Sequence, residues 1–171
     1  LNQLNLALID ENDQMRARVE AVQERNSDLV ERQQNMEEMI VAGQTLQAAE
    51  TSAVGIRLVS NGRQRETLRA SRTSMIKVCF TLLENRIAEP GSKTLHLQVT
   101  NEEGQVLPGE QSELSNSKGS PISATRVIDY NSERIEACIF YIPQTDLPTG
   151  AYVIRILEGD ESIGFAQLVL D

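Results

Sequence analysis

The first part of the chain repeats its apolar residues every seven positions. One series contains Leu1, Leu8, Met15, Val22, Leu29 and Met36. A second series follows four places after the first and contains Asn5, Asn12, Val19, Asn26, Gln33 and Ile40. Because the step from d to a in a heptad is four residues, the first series occupies d positions and the second occupies a positions. The pattern predicts a coiled-coil helix over residues 1–48, about 70 Å long if it is fully helical.

The amides at the a positions indicate how this helix pairs. A buried Asn at a costs stability but is satisfied when it faces its own copy, so it fixes the register and favours two parallel helices. The charges at g and e agree, since Glu11 precedes Arg16 and Arg32 precedes Glu37. We therefore predict a parallel homodimer with an interface of Asn5, Leu8, Asn12, Met15, Val19, Val22, Asn26, Leu29, Gln33, Met36 and Ile40. The alternative is a single amphipathic helix lying on its own β domain, which needs a wider apolar face.

After Gly43 the hydrophobic pattern changes to a period of two. The predicted strands are AVGIRLVS (53–60), MIKVCFTLL (75–83), KTLHLQVT (93–100), ISATRVIDY (122–130), RIEACIFYI (134–142), AYVIRILE (151–158) and SIGFAQLVL (162–170). Turn signals separate them, and NSKGSP (116–121) predicts a mobile loop. Seven short strands without a helix between them predict an all-β sandwich, immunoglobulin-like or related, over residues 49–171. The fold class is thus a long helix followed by a β-sandwich.

Composition argues against most chemistry in this chain. The net charge of −9 repels nucleic acid and anionic lipid, and aromatic residues are only 4% of the chain. The single histidine, His96, has no second His with which to form a metal site or a triad. The carboxylate pairs at residues 102–103 and 160–161 lie in turn signals, where solvated charges are expected. We therefore predict no enzyme, no cofactor and no metal.

One segment departs from the acidic average. Residues 51–78 carry six basic residues against Glu66 alone, a net charge of +5. Arginine suits bidentate contacts to carboxylates, so a candidate docking patch for an acidic partner consists of Arg57, Arg63, Arg65, Arg69 and Arg72. The alternative is a solvated edge segment, or one that the protein's own glutamates neutralise. No groove-reading element accompanies the patch, so no nucleic-acid partner is expected.

The two cysteines, Cys79 and Cys138, are too few for a disulfide framework and lack metal-site spacing. Each alternates with polar or aromatic neighbours in a predicted strand. A bridge requires Cα atoms within about 7 Å, which the sequence does not give. Two half-buried thiols are the expectation, and a disulfide is the alternative.

Two runs resemble a group of Bacteroidota envelope proteins: IKVCFTLLENRIAEPGSKTLHLQV (76–99) and GAYVIRILEGDESIG (150–164). The resemblance covers most of residues 53–171 and carries over no functional residue. It implies an N-terminal membrane helix, a long coiled coil and a C-terminal β domain. Such proteins are often labelled automatically as chromosome-partitioning or segregation proteins, a label that implies a nucleotide-binding loop absent from this sequence.

Taken together, the patterns predict a non-enzymatic structural or interaction protein. Its coiled-coil stalk dimerises and presents β-sandwich heads to an unidentified protein partner in the cell envelope. The alternative is a module that binds a peptide or glycan, with the stalk as spacer. No run of about 18 apolar residues occurs. Because the sequence starts at Leu1 rather than Met, we expect the natural protein to continue upstream. The resemblance implies a membrane anchor there and a periplasmic location, with the cytoplasm as the alternative.

Overall fold

The computed structural model describes residues 2–110, 119 and 121–171. Most of the loop predicted at 116–121 lies outside the described residues. The N-terminal element is α1, Asn2–Gln44, a helix of 43 residues that contains no proline. Its length is about 65 Å at 1.5 Å per residue. The contacts divide the chain into a unit ending at Gly43, here called the stalk, and a unit from Gln44 to Asp171, here called the head.

Among the residues that the structure describes, the head contains eight strands: β1 Ala48–Leu58, β2 Gln64–Thr67, β3 Met75–Leu82, β4 Gly91–Thr100, β5 Ala124–Tyr130, β6 Ile135–Tyr141, β7 Gly150–Glu158 and β8 Glu161–Leu170. All seven predicted strands are present, and β2 was missed. Strand β1 starts earlier than the alternation indicates because its register shifts between Ala49 and Ser52. Glu50 lies in that shift with a φ of 52°. Such a bulge interrupts the period of two by which a strand is recognised.

Two antiparallel sheets form the head, with strand orders β2-β1-β3-β6 and β5-β4-β7-β8. Strand β1 lies beside β8, and β5 lies beside β6, so the sheets face each other. Gly164 allows β8 to lie close to β1, because a Cβ at this position would be only 2.8 Å from the Ala48 Cβ. These features confirm the predicted immunoglobulin-like sandwich.

The core follows from alternation on the two inner faces. On β3, Ile76, Val78 and Phe80 are buried, as are Leu95, Leu97 and Val99 on β4. Burial of this apolar surface is the main favourable contribution to folding of the head. The sequence pattern of β3 therefore identifies its core face correctly.

Buried tyrosines connect the core to the loops. Each of the three tyrosines donates its hydroxyl to a loop carbonyl: Tyr130 to Leu83, Tyr141 to Pro108 and Tyr152 to Pro148. The last bond spans four residues at the start of β7, as in the tyrosine corner of immunoglobulin-like domains. Burial raises the pKa of Tyr141 to about 12, so this hydroxyl keeps its proton as a donor at neutral pH.

Leu46 anchors the beginning of the head. Its side chain is completely buried, and its backbone N–H donates to Glu158 Oε2 at 3.0 Å. Lys93 Nζ lies 3.6 Å from the other oxygen of that carboxylate. Leu46 precedes the boundary at residue 49 predicted from the sequence, yet it belongs to the core of the head.

We expect Leu46→Ala to lower the free energy of unfolding of the head by about 3 kcal/mol, because it leaves a cavity in the core. Urea unfolding followed by tyrosine fluorescence measures this, since all three tyrosines lie in the head. The control is Leu68→Ala, a leucine that is 61% exposed. Equal losses in the two variants would contradict the placement of Leu46 in the core.

Candidate interaction surfaces

The predicted coiled-coil seam is fully solvated in the single chain. Seven apolar seam residues are at least 50% exposed: Leu8, Met15, Val19, Val22, Leu29, Met36 and Ile40. The seam amides, Asn5, Asn12, Asn26 and Gln33, are exposed as well. No residue of α1 is buried in the part of the chain that the structure describes. The helix therefore presents a continuous stripe in which amides interrupt apolar residues.

Groups next to the seam add area and charge. Four further apolar residues at e and g positions are exposed: Leu4, Ile9, Val30 and Met39. Glu11 and Arg16 border a shallow depression of about 570 Å³ together with seam residues Leu8, Asn12, Met15 and Val19. Within the described residues neither Glu11 nor Arg16 forms an ion pair, so both are available to a second helix. Arg32 instead pairs with Asp28 at 3.0 Å within its own helix.

The five arginines of the candidate docking patch belong to neighbouring elements of the head. Arg57 lies on β1, Arg65 on β2 and Arg63 in the turn between them. Arg69 caps a short 3-10 turn, Ala70–Arg72, that packs against β1. Strand β1 begins at Ala48 at one end of the sandwich, so its last residues lie at the other end of the sandwich. We call this arginine-bearing surface the basic end.

The arginines of the basic end form no ion pair with a carboxylate within the described ranges, although Asp171 reaches this edge through backbone hydrogen bonds to Leu68 and Ala70. The ion pairs found there involve none of the five arginines. Four of them, Arg63, Arg65, Arg69 and Arg72, are exposed, and Arg57 is half-buried. The register sets Arg57 directly opposite Arg65. Direct ion pairing with the protein's own glutamates, one of the alternatives, is therefore not found among the residues described.

Cys79 and Cys138 form a disulfide, so the expectation of two thiols was wrong. They are register partners on β3 and β6, with Cα atoms 4.0 Å apart. Such a short Cα distance is typical of a non-hydrogen-bonded pair in an antiparallel sheet, where the two side chains are closest to each other. A stable disulfide is typical of proteins in an oxidising compartment outside the reducing cytosol.

A groove of about 530 Å³ lies over this disulfide. Glu50 Oε2 on its rim accepts hydrogen bonds from Arg134 Nη2 at 2.7 Å and Thr81 Oγ1 at 3.1 Å. The Arg134 bond, followed by that of Thr81, lowers the pKa of Glu50. Arg126 donates from β5 to the Cys138 carbonyl on β6. These charged groups already have partners, so the groove has fewer free groups than the basic end.

His96 lies on the outer face of β4, where its Nδ1 is 3.0 Å from Thr125 Oγ1. Burial lowers its pKa, and the charge of Asp160 opposes that shift. Since the folded pKa is the lower one, the contribution of His96 to the stability of the head is complete above its unfolded pKa and is lost as the pH falls from there through the folded pKa. Among the described residues, no group of three His, Cys, Asp or Glu residues is suited to hold a metal ion. In the same residues, no helix is both long and apolar enough to cross a membrane.

These features define the protein as a helix joined to an immunoglobulin-like β-sandwich with a cross-strand disulfide. The chain belongs to the DUF8428 family, described as a domain of unknown function, whose model matches residues 49–171. No curated protein matches the chain in sequence.

Several solved structures are similar to this chain at low sequence identity. An immunoglobulin-like protein from Pseudomonas aeruginosa is 11% identical, with a TM-score of 0.41 over 76% of this chain and 99% of that chain. A glycosyl hydrolase family 2 member from Bacteroides cellulosilyticus is 12% identical, with a TM-score of 0.43 over 73% of this chain and 15% of the hydrolase. The self-complemented fimbrial subunit MyfA of Yersinia enterocolitica is 14% identical, with a TM-score of 0.31 over 74% of this chain and 97% of that chain.

Proposed function

We propose that the protein is a non-enzymatic scaffold in which two stalks pair in parallel and present two heads to protein partners in the cell envelope. The observation that carries the proposal is a 43-residue helix with no buried residue and a heptad seam of exposed apolar side chains. An isolated helix gains little stability in water unless tertiary packing covers its amphipathic face. A second copy supplies that packing, because its seam repeats the same pattern.

Amides at the a positions select a parallel dimer from the possible helix pairings. In parallel register, Asn5, Asn12 and Asn26 each face their own copy and form side-chain hydrogen bonds. Glu11 then lies beside Arg16 of the other helix, and neither has an ion pair within its own described chain. The second predicted pair, Arg32 with Glu37, competes with the Arg32–Asp28 bridge. Exposed i,i+4 pairs of this kind contribute only about 0.3–0.5 kcal/mol, so the exchange costs little.

The placement in the cell envelope rests on two supports of different kinds. The disulfide favours an oxidising compartment, such as the periplasm. The resemblance of residues 76–99 and 150–164 to Bacteroidota envelope proteins adds the expectation of a membrane anchor. In such an arrangement the stalk serves as a spacer between the anchor and the heads.

Cysteine crosslinking tests the orientation of the stalks. We expect Leu8→Cys and Met36→Cys each to form a disulfide-linked dimer with its own copy, because parallel register places equal d positions together. Cys79 and Cys138 are already bonded and do not compete. Val22→Cys is the control, since it lies midway between the other two sites and crosslinks in either orientation.

Crosslinking of Val22→Cys alone would establish an antiparallel pair and contradict the proposal. Sedimentation equilibrium of the wild-type chain at high micromolar concentration supplies the second measurement. A monomer under these conditions would remove the stalk as a dimerisation element.

A further inference from the structure

We infer that the basic end of the head binds an extended acidic peptide segment of a protein partner, with Arg57 and Arg65 at its centre. This inference rests on the proposed function, in which the heads are presented to protein partners. It assigns both the docking surface and the chemistry of the segment that the surface recognises.

The arrangement of Arg57 and Arg65 is the first observation. These residues are partners in the β1–β2 register, so their side chains leave the same face with Cβ atoms about 5 Å apart. Like charges directly opposite each other destabilise a strand pair, and neither guanidinium has a carboxylate partner among the described residues. Glu66 follows Arg65 and points to the opposite face of β2. A bound anion removes this repulsion.

The surroundings extend the positive surface. Arg63 lies in the turn that joins the two strands, Arg69 precedes the short 3-10 turn beside β1, and Arg72 is the last residue of that turn. All three are exposed. A ligand that reaches Arg57 and Arg65 therefore meets further guanidiniums on either side. An elongated anion fits this distribution better than a compact one.

The edge of β2 offers few free backbone groups to a bound peptide. Side chains therefore dominate recognition. Val59 N donates to Arg63 O, and Ser74 N donates to Ile56 O. The backbone groups of successive β1 residues therefore point alternately towards β2 and β3. Strand alternation then leaves the backbone groups of Gln64 and Glu66 directed away from β1. Beyond Glu66 the edge is occupied, because Asp171 bonds to Leu68 O and Ala70 N. Charge-assisted bonds to arginine therefore supply most of the affinity.

The charge distribution favours a carboxylate-bearing peptide over a dense polyanion. The whole chain carries −9, so its average field repels nucleic acid and anionic membranes outside this patch. All five cations are arginines, whose planar guanidinium matches a carboxylate with two parallel hydrogen bonds. Alternate side chains of an extended peptide lie about 6.8 Å apart on one face, a spacing that two neighbouring arginines reach.

Fluorescence anisotropy of the full chain with a labelled peptide of alternating Glu and Thr tests the inference. We expect saturable binding that weakens at least about fivefold between about 50 and about 300 mM NaCl. The double substitution Arg57→Gln with Arg65→Gln should weaken it at least about tenfold. The matched control, Arg86→Gln with Arg155→Gln, removes two exposed arginines outside the basic end and should leave binding unchanged.

A second variant separates charge from geometry. Arg57→Lys with Arg65→Lys keeps both charges but loses the bidentate fork, so its affinity should fall between those of the wild type and the glutamine variant. Equal binding of a Gln–Thr peptide, undiminished binding by the glutamine variant, or tighter binding of anionic vesicles through the same arginines would each overturn the inference. Sedimentation of the same samples distinguishes the two proposals. A dimer that does not bind the peptide contradicts this inference alone, whereas a monomer contradicts the proposed dimerisation of the stalk.

Discussion

Replacing Cys79 and Cys138 together by serine should lower the free energy of unfolding of the head by about 4 kcal/mol, because the disulfide closes a long loop. The bonded residues are separated by 59 positions, and a crosslink of that span removes much of the conformational freedom of the unfolded chain. The bond lies on the outer face of its sheet, where both residues are only partly buried. Lost packing therefore contributes less to this loss of stability than the conformational entropy that the unfolded chain gains.

Urea unfolding followed by tyrosine fluorescence measures this loss, with the wild type treated with a dithiol as the comparison. Reduction of the wild type should reproduce the stability of the double variant, and the same reductant should leave the double variant unchanged. A loss below about 1 kcal/mol would show that the unfolded head is compact without the bond.

Exchanging Asn5, Asn12 and Asn26 for leucine should raise the melting temperature of the stalk and broaden its oligomers towards trimers and tetramers. The apolar side chains complete the seam and gain burial, while the amides that require their own copies in register disappear. Neighbouring apolar residues at e and g positions, such as Ile9 and Val30, increase the effect because they provide area for additional helices. This substitution trades specificity for stability.

Circular dichroism melting and sedimentation equilibrium measure the two effects together. The matched control, Gln3→Leu with Gln14→Leu and Asn35→Leu, replaces three amides outside the seam and should leave the stoichiometry unchanged. Slipping the helices by one heptad still pairs Asn5 with Asn12 but not Asn26 with another Asn. A triple variant that remains a dimer with an unchanged melting temperature would show that these amides are not at the helix interface.

The periodicity of the sequence was sufficient to predict those elements that contain a repeated local pattern. The seven-residue repeat predicts a helix across α1, and the alternation of Ile76, Val78 and Phe80 identifies the inner face of β3. Both patterns arise because side-chain direction depends on backbone geometry within a few residues. The sandwich could be predicted for the same reason, since a series of half-apolar strands buries its apolar faces only against another sheet.

Elements that exist only through pairing with another strand required the tertiary structure. Strand β2 consists of Gln64–Thr67, too polar to be recognised, and it exists because β1 supplies its hydrogen bonds. The arginines at the basic end appear in the sequence as a charge cluster, but only the register shows that Arg57 faces Arg65 without a neutralising carboxylate.

The cysteines show the same limit most clearly. Their residue types and spacing favoured two thiols over a bridge, yet the pairing of β3 with β6 places their Cα atoms 4.0 Å apart in a disulfide. Periodic elements and their buried faces could thus be predicted from the sequence, because they depend on local geometry. Register, edge pairing and the disulfide followed only from the folded structure, because each depends on which strands lie side by side and in which alignment.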